Sequence, residues 1–211
     1  MIDAFCTWLV AHRTSCLELG AVLFGVVSVY LSARQKIWSW PTAIVNVSLF
    51  VPVFFKKGLY SDTGLQVVYL VLSFYGWYQW LYGGAGHTTL PVSRTSGRTW
   101  HILAVVAVAT WSALGLITAR LPGTALPYLD AATTTVSLIA QWMMTRKLLE
   151  NWVVWIVVDV VYVAMFIYKG LYLTAANYAI YLALALLGYI AWKRSLTTTA
   201  TAITATTTVT T

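Results

Sequence analysis

Charge is what this sequence holds least of: Asp, Glu, Lys and Arg make up 9% of its 211 residues, while 60% are hydrophobic. A soluble domain carries about 25% charged residues, and a chain with a mean hydropathy of +0.76 has too little polar surface to face water on all sides. That excludes a soluble globular fold. Cysteine is nearly missing as well. Cys6 and Cys16 form neither a CxxC pair nor a Cys/His cluster, which argues against a metal or redox site. The histidines, His12, His87 and His101, fall outside the apolar stretches, and those stretches hold no HExxH run and no paired carboxylates. An intramembrane enzyme would need a nucleophile with a base, or a metal cluster, so no enzyme activity, cofactor or metal is expected. The amino end, residues 1–16, has no basic start ahead of an uninterrupted apolar core, and no removable signal peptide is expected.

Long apolar runs are what the chain has instead. A bilayer crossing takes roughly 20 mostly apolar residues, and such stretches cover residues 17–33, 38–55, 64–82, 100–118, 126–145, 152–168 and 171–192. The expected fold is therefore an all-α integral membrane protein of about seven transmembrane helices, occupying residues 17–194. An amino-terminal segment, 1–16, precedes it. A Thr/Ala-rich run, 195–211, follows it and is expected to be a disordered tail.

The formal net charge is +7, which in a soluble protein would suggest nucleic acid. Here the basic residues lie between the spans, where they set topology and meet lipid headgroups; the expected partner is the bilayer, not nucleic acid. With seven spans, one side of the membrane collects Arg34, Lys36, Arg94, Arg98, Arg146, Lys147, Lys193 and Arg194, and the other Arg13, Lys56, Lys57, Arg120 and Lys169. The richer side carries the carboxyl end, which is therefore expected in the cytoplasm.

The chain also repeats itself. A displacement of 112 positions, the interval from Trp40 to Trp152, also superposes Arg34 on Arg146, Phe54 on Phe166, Tyr69 on Tyr181, Gly76 on Gly188 and Trp80 on Trp192. The run Lys57-Gly58-Leu59-Tyr60 falls on Lys169-Gly170-Leu171-Tyr172 without a gap. Repeat one covers 17–82, a linker helix 100–118 and repeat two 126–192. A single linker helix after three spans returns the second copy to the orientation of the first, so two parallel repeats in a 3+1+3 arrangement are expected, as in the small sugar transporters of the SWEET type.

Polar and aromatic residues recur at helical spacing along most spans. Span three carries Gln66, Tyr69, Ser73, Trp77 and Trp80 on one face, span five Asp130, Thr134, Ser137 and Gln141, and span six Trp152, Trp155, Asp159, Tyr162 and Phe166. Span two adds Thr42, Asn46 and Phe50, and span seven Asn177 and Tyr181. In lipid these groups would lack partners, so the faces are expected to turn inward around a wet pocket. Asn46, Gln66, Gln141 and Asn177 suit either that pocket or hydrogen bonding between helices. Trp38, Trp40, Trp80, Trp152 and Trp192, near span ends, read as interfacial anchors.

Asp159 is the sharpest single signal. It sits mid-span, where an ionised carboxylate is costly without a partner, and no Lys or Arg lies at that depth. Its partner has to be a hydrogen-bond donor, a proton or a cationic solute. Asp130 lies at a span start, within reach of water. Aromatic faces stack on a flat ring for roughly 0.5–1.5 kcal/mol per pair and hold a cation better still. The candidate binding residues are Asn46, Gln66, Tyr69, Trp77, Thr134, Gln141, Trp155, Asp159, Tyr162, Asn177 and Tyr181, and the chemistry they suit is an amphiphilic, aromatic solute.

Several runs resemble a known family. Leu126-Pro-Tyr-Leu-Asp130 through Ser137-Leu-Ile-Ala-Gln141, Glu150-Asn-Trp152 through Trp155-Ile-Val-Val-Asp159, and Lys169-Gly-Leu-Tyr-Leu-Thr174 through Gly188-Tyr-Ile-Ala-Trp192 are similar to the bacterial nicotinamide riboside transporters, the PnuC family. So are Gly58-Leu-Tyr60, Leu65-Gln66, Tyr69 and Tyr75-Gly-Trp77. The resemblance covers residues 17–194. It implies a multi-pass protein of the bacterial inner membrane and uptake of nicotinamide riboside, an NAD precursor, by facilitated diffusion made one-way by phosphorylation inside the cell. It also implies a homotrimer. Relatives that carry thiamine or riboflavin keep those vitamins open as alternatives, and a membrane receptor that binds without transporting is a further one.

Overall fold

The computed structural model describes residues 13–56, 60–120, 127–168 and 170–209. Among them the chain forms α1 (Arg13–Ala33), α2 (Ser39–Lys56), α3 (Tyr60–Tyr82), α4 (Gly97–Thr118), α5 (Pro127–Thr145), α6 (Asn151–Tyr168) and α7 (Tyr172–Val209), with one 3-10 turn, Ala85–His87. The Lys57-Gly58-Leu59 run, Lys169 and the first residues of the amino-terminal segment lie outside the described residues.

Local sequence explains several boundaries. Pro127 opens α5 at the position where a missing N–H costs nothing. Ser96 caps α4 by accepting a hydrogen bond from the Thr99 N–H, satisfying one of the orphan donors of the first turn. The helix α7 runs on to Val209, so the Thr/Ala run expected as a tail continues the helix. Ala favours a helix, and Thr197 returns its hydroxyl to the Arg194 carbonyl at 2.8 Å, the back-bond open to Thr inside one.

The duplication recurs hydrogen bond by hydrogen bond. The helices α2 and α6 have the same length, 18 residues, and start at equivalent positions, Ser39 and Asn151. The turn after α1 places Gln35 at φ 54°, and the turn after α5 places its equivalent, Lys147, at φ 49°. Lys36 N–H donates to Leu31 O at 2.9 Å and Leu148 N–H to Met143 O at 3.1 Å; Gln35 N–H reaches Ser32 O at 2.9 Å and Lys147 N–H reaches Met144 O at 3.1 Å.

Side chains repeat the pattern across the repeats. Trp80 donates its indole N–H to Met144 O at 3.0 Å, and Trp192 donates to Ser32 O at 3.0 Å. Ser32 and Met144 are themselves equivalent, each in the last turn of its helix, where carbonyls run out of intrahelical donors. Each repeat thus completes a helix end of the other. Trp40 meets Trp80 edge-on with centroids 5.3 Å apart, Trp152 meets Trp192 at 5.4 Å, and Trp80 and Trp192 meet at 5.9 Å. The Trp40 ring occupies the space a Cβ would take at Gly76, and the Trp152 ring does the same at Gly188.

These four indoles form the centre of the core with Ala33, Met144, Leu149 and Ala185. That corrects the anchor reading for Trp40, Trp80, Trp152 and Trp192, which are at most 2% exposed, whereas Trp38 is 69% exposed. A ring near a span end turns inward when a glycine on the neighbouring helix leaves room for it.

Packing follows the repeats. The helix α2 lies between α1 and α3, and α6 between α5 and α7; α1 contacts α7 and α3 contacts α5, which joins the halves. The helix α4 packs on α5 and turns Val105 and Val108 outward. The link from α3 to α4 laces onto the α5–α6 turn: Ser93 N–H donates to Lys147 O, Leu149 N–H to Ser93 O, and Thr95 donates its N–H and hydroxyl to the Glu150 carboxylate at 2.8 and 2.7 Å.

By length and composition, the segments Cys16–Ala33, Gly97–Thr118, Asn151–Tyr168 and Thr174–Thr197 suffice to cross a membrane. Asn46 on α2, Gln66 on α3, and Ser137 and Gln141 on α5 face a cavity.

Candidate functional site

The two repeats enclose a cavity of about 350 Å³, within the range of roughly 300–1,000 Å³ usual for small-molecule sites. Every helix except α4 lines it. Repeat one contributes Ser28 and Ser32 from α1, Asn46, Phe50 and Phe54 from α2, and Gln66, Tyr69 and Ser73 from α3. Repeat two contributes Ser137 and Gln141 from α5, Trp155, Asp159 and Tyr162 from α6, and Tyr178 and Tyr181 from α7. The Trp40 and Trp152 rings close one end, beside Met144.

Most of the expected side chains meet here: Asn46, Gln66, Tyr69, Gln141, Trp155, Asp159, Tyr162 and Tyr181 all line the cavity. Trp77, Thr134 and Asn177 do not. Trp77 packs against the indole core, Thr134 is half-buried beside the buried Thr135, and Asn177 stands behind the wall, where its side chain interacts with Tyr181. Ser28, Ser32, Asp62 and Tyr178 line the cavity without having been expected there. The signal for the serines was present in α1, where Gly25, Ser28 and Ser32 recur at spacings of three and four on one face.

The aromatic wall is built twice. Phe50 and Phe54 stack at 5.2 Å, and their equivalents Tyr162 and Phe166 stack at 6.0 Å. Tyr178 adds a third ring to the second set, 4.6 Å from Tyr162 and 5.3 Å from Phe166.

The polar groups are not doubled. Asp159 stands where repeat one has Val47, and Asn46 where repeat two has Val158. Asp159 is 4% exposed and has no hydrogen-bond or ion-pair partner among the described residues. Among the described residues the other lining carboxylate is Asp62, and no Lys, Arg or His lines the cavity. The indole N–H groups of Trp40 and Trp152 and Oε1 of Gln66 are buried with no protein partner. Buried polar atoms are normally paired, and these stand unpaired in the walls of the cavity. Among the described residues no His, Cys, Asp and Glu group could hold a metal ion.

A paired-repeat helical bundle with an aromatic, carboxylate-bearing cavity matches a described family. The model of the nicotinamide mononucleotide transporter family aligns with residues 15–194. The chain belongs to that family. It is accordingly a multi-pass membrane transporter and not an enzyme. The nicotinamide riboside transporter PnuC of Escherichia coli K12 is 28% identical over 87% of each chain, and the PnuC of Neisseria mucosa is 26% identical over 88% of this chain and 74% of its own. The riboflavin/roseoflavin transporter RibM of Streptomyces davaonensis is 29% identical over 81% of each chain. The crystal structure of the vitamin B3 transporter PnuC matches with a TM-score of 0.70 at 26% identity, covering 91% of this chain and 86% of that one.

Proposed function

We propose that the protein takes up nicotinamide riboside across the bacterial inner membrane by facilitated diffusion, binding it in the cavity between the repeats. The observation that carries this reading is Asp159: a 4% exposed carboxylate in a cavity lined, among the described residues, by no basic residue and by several aromatic rings. Nicotinamide riboside is a flat pyridinium cation with a carboxamide and a ribose. Its charge answers Asp159, its ring stacks on Tyr162, Tyr178 and Trp155, and its amide and hydroxyls find Asn46, Gln66, Gln141 and the unpaired indole N–H groups. Similarity to the two PnuC proteins supports the same solute.

In this reading residues 17–194 form the transporter, with repeats 17–82 and 126–192 parallel to one another around the linker helix 100–118. The repeated turns, the reciprocal tryptophan bonds and the paired α1–α7 and α3–α5 contacts support that 3+1+3 arrangement. The carboxyl end is cytoplasmic, on the side richer in basic residues. Three copies associate, as the family resemblance implies.

Riboflavin is the second reading, favoured by the similarity to RibM. It is neutral and leaves Asp159 without a countercharge. Titrating the purified protein with nicotinamide riboside, nicotinamide mononucleotide, thiamine and riboflavin separates these readings. Tightest binding of nicotinamide riboside is expected; binding of riboflavin alone overturns the proposal.

A further inference from the structure

The two repeats treat one position differently. Tyr69 and Tyr181 are equivalent, and each lines the cavity from the third helix of its repeat. Tyr69 interacts across the repeats with the Ser137 side chain on α5. The residue equivalent to Ser137 on α1 is Gly25, which has no side chain to offer Tyr181, and Tyr181 interacts instead with the Asn177 side chain on its own helix. The equivalent of Asn177 in repeat one is Leu65, which cannot do the same for Tyr69.

Gly25 is buried, and the space above it is already taken. A Cβ there would stand 2.6 Å from the Tyr181 hydroxyl and 2.8 Å from Asn46 Nδ2. Asn46 comes this close because it donates to the Ala21 carbonyl at 2.6 Å, one turn before Gly25. Both obstructing atoms are the far ends of side chains that line the cavity. An added methyl displaces them from their seats without moving backbone, and the cavity is the space they border.

We infer that Gly25 is a positioning residue for the solute site: its missing side chain seats the Tyr181 hydroxyl and the Asn46 amide against α1 and so sets the width and hydrogen-bonding pattern of the repeat-one wall. This rests on the transport reading of the same cavity. A glycine needed only for helix packing would act through the fold and would be indifferent to the Tyr181 hydroxyl.

The test is a double-mutant cycle on purified full-length protein, with nicotinamide riboside binding measured by calorimetry and folding followed by thermal unfolding. Gly25→Ala is expected to weaken binding about tenfold or more, because it displaces two polar groups that line the cavity, while the unfolding midpoint falls by no more than ordinary overpacking of about 1–3 kcal/mol gives. In a Tyr181→Phe background, where the obstructing oxygen is gone, the same change is expected to cost about threefold or less, the difference being the coupling of two residues in contact. An equal loss in both backgrounds overturns the inference. If Gly25→Ala does not accumulate in membranes, Gly25→Ala/Tyr181→Phe decides: restored accumulation supports the seat, and no restoration overturns it. Wild-type protein that ignores nicotinamide riboside defeats the transport reading instead, and the cycle is then read with whichever of thiamine or riboflavin it binds.

Discussion

Replacing Trp192 by Phe removes one indole N–H and part of one ring from the centre of the molecule. The N–H is bonded to Ser32 O at 3.0 Å across the repeats, and the side chain is 0% exposed. A buried neutral hydrogen bond contributes about 0.5–1.5 kcal/mol. Shrinking the ring leaves a small void beside Trp152 and Trp80, which adds about 1 kcal/mol more, so the loss should be about 2 kcal/mol. Trp80→Phe should cost nearly the same, because Trp80 makes the equivalent bond to Met144 O at 3.0 Å in an equivalent setting. It should lose slightly more, since Lys147 Nζ lies 4.5 Å from the Trp80 ring centroid and cation–π contact adds about 0.5–1 kcal/mol. Thermal unfolding in detergent, with Trp38→Phe as the exposed control, measures all three. A Trp192→Phe midpoint indistinguishable from that of Trp38→Phe would refute the argument that these indoles join the halves.

Three further outcomes follow from the same geometry. Gly188→Ala should destabilise by about 1–3 kcal/mol, because its Cβ would stand 2.6 Å from the Trp152 ring; an unchanged midpoint in thermal unfolding would show that the ring has room to move. Lys147, in the α5–α6 turn outside the spans, has its ammonium pulled by burial down to about 8, so above that pH the unfolded state keeps a proton that the folded state has lost. Stability should then rise with pH from about 8 towards the ordinary lysine value, and Lys147→Met should flatten that slope. Finally, among the described residues the cavity is lined by only two carboxylates, Asp159 and Asp62, and by no His, whereas proton relays usually run through Asp, Glu and His chains, so a proton or sodium gradient imposed on proteoliposomes should not concentrate the solute once the membrane potential is clamped. The clamp is needed because one charge moved through 100 mV is worth about 2.3 kcal/mol.

The architecture was legible because it was written twice. Trp, Gly and Tyr do not recur in one register by chance, and the displacement linking Trp40 to Trp152 also links the turns at Gln35 and Lys147 and the starts of α2 and α6. The stripes on α3, α5 and α6 were legible at their centres, where Tyr69, Gln141 and Asp159 line the cavity. They failed at their edges, where Trp77 and Thr134 turn towards neighbouring helices. A stripe gives an angular range about a helix, whereas contact depends on what the facing helix offers. The same limit explains the four tryptophans. Nearness to a span end suggests an anchor, but Gly76 and Gly188, on other helices, open the space that draws Trp40 and Trp152 inward. Gly25 carried no such sign by itself; its meaning appears only in the space above it, which the Tyr181 hydroxyl and the Asn46 amide fill.

The most direct test of the central claim is uptake of nicotinamide riboside into sealed proteoliposomes with the potential clamped at zero, comparing wild type with Asp159→Asn. The wild type should equilibrate the solute and stop. Asp159→Asn, which keeps the shape of the side chain and removes its charge, should slow that equilibration by about tenfold or more, as expected when a cation loses a buried countercharge. Wild-type vesicles no more permeable to nicotinamide riboside than protein-free ones, or equal rates for the two proteins, would contradict the account.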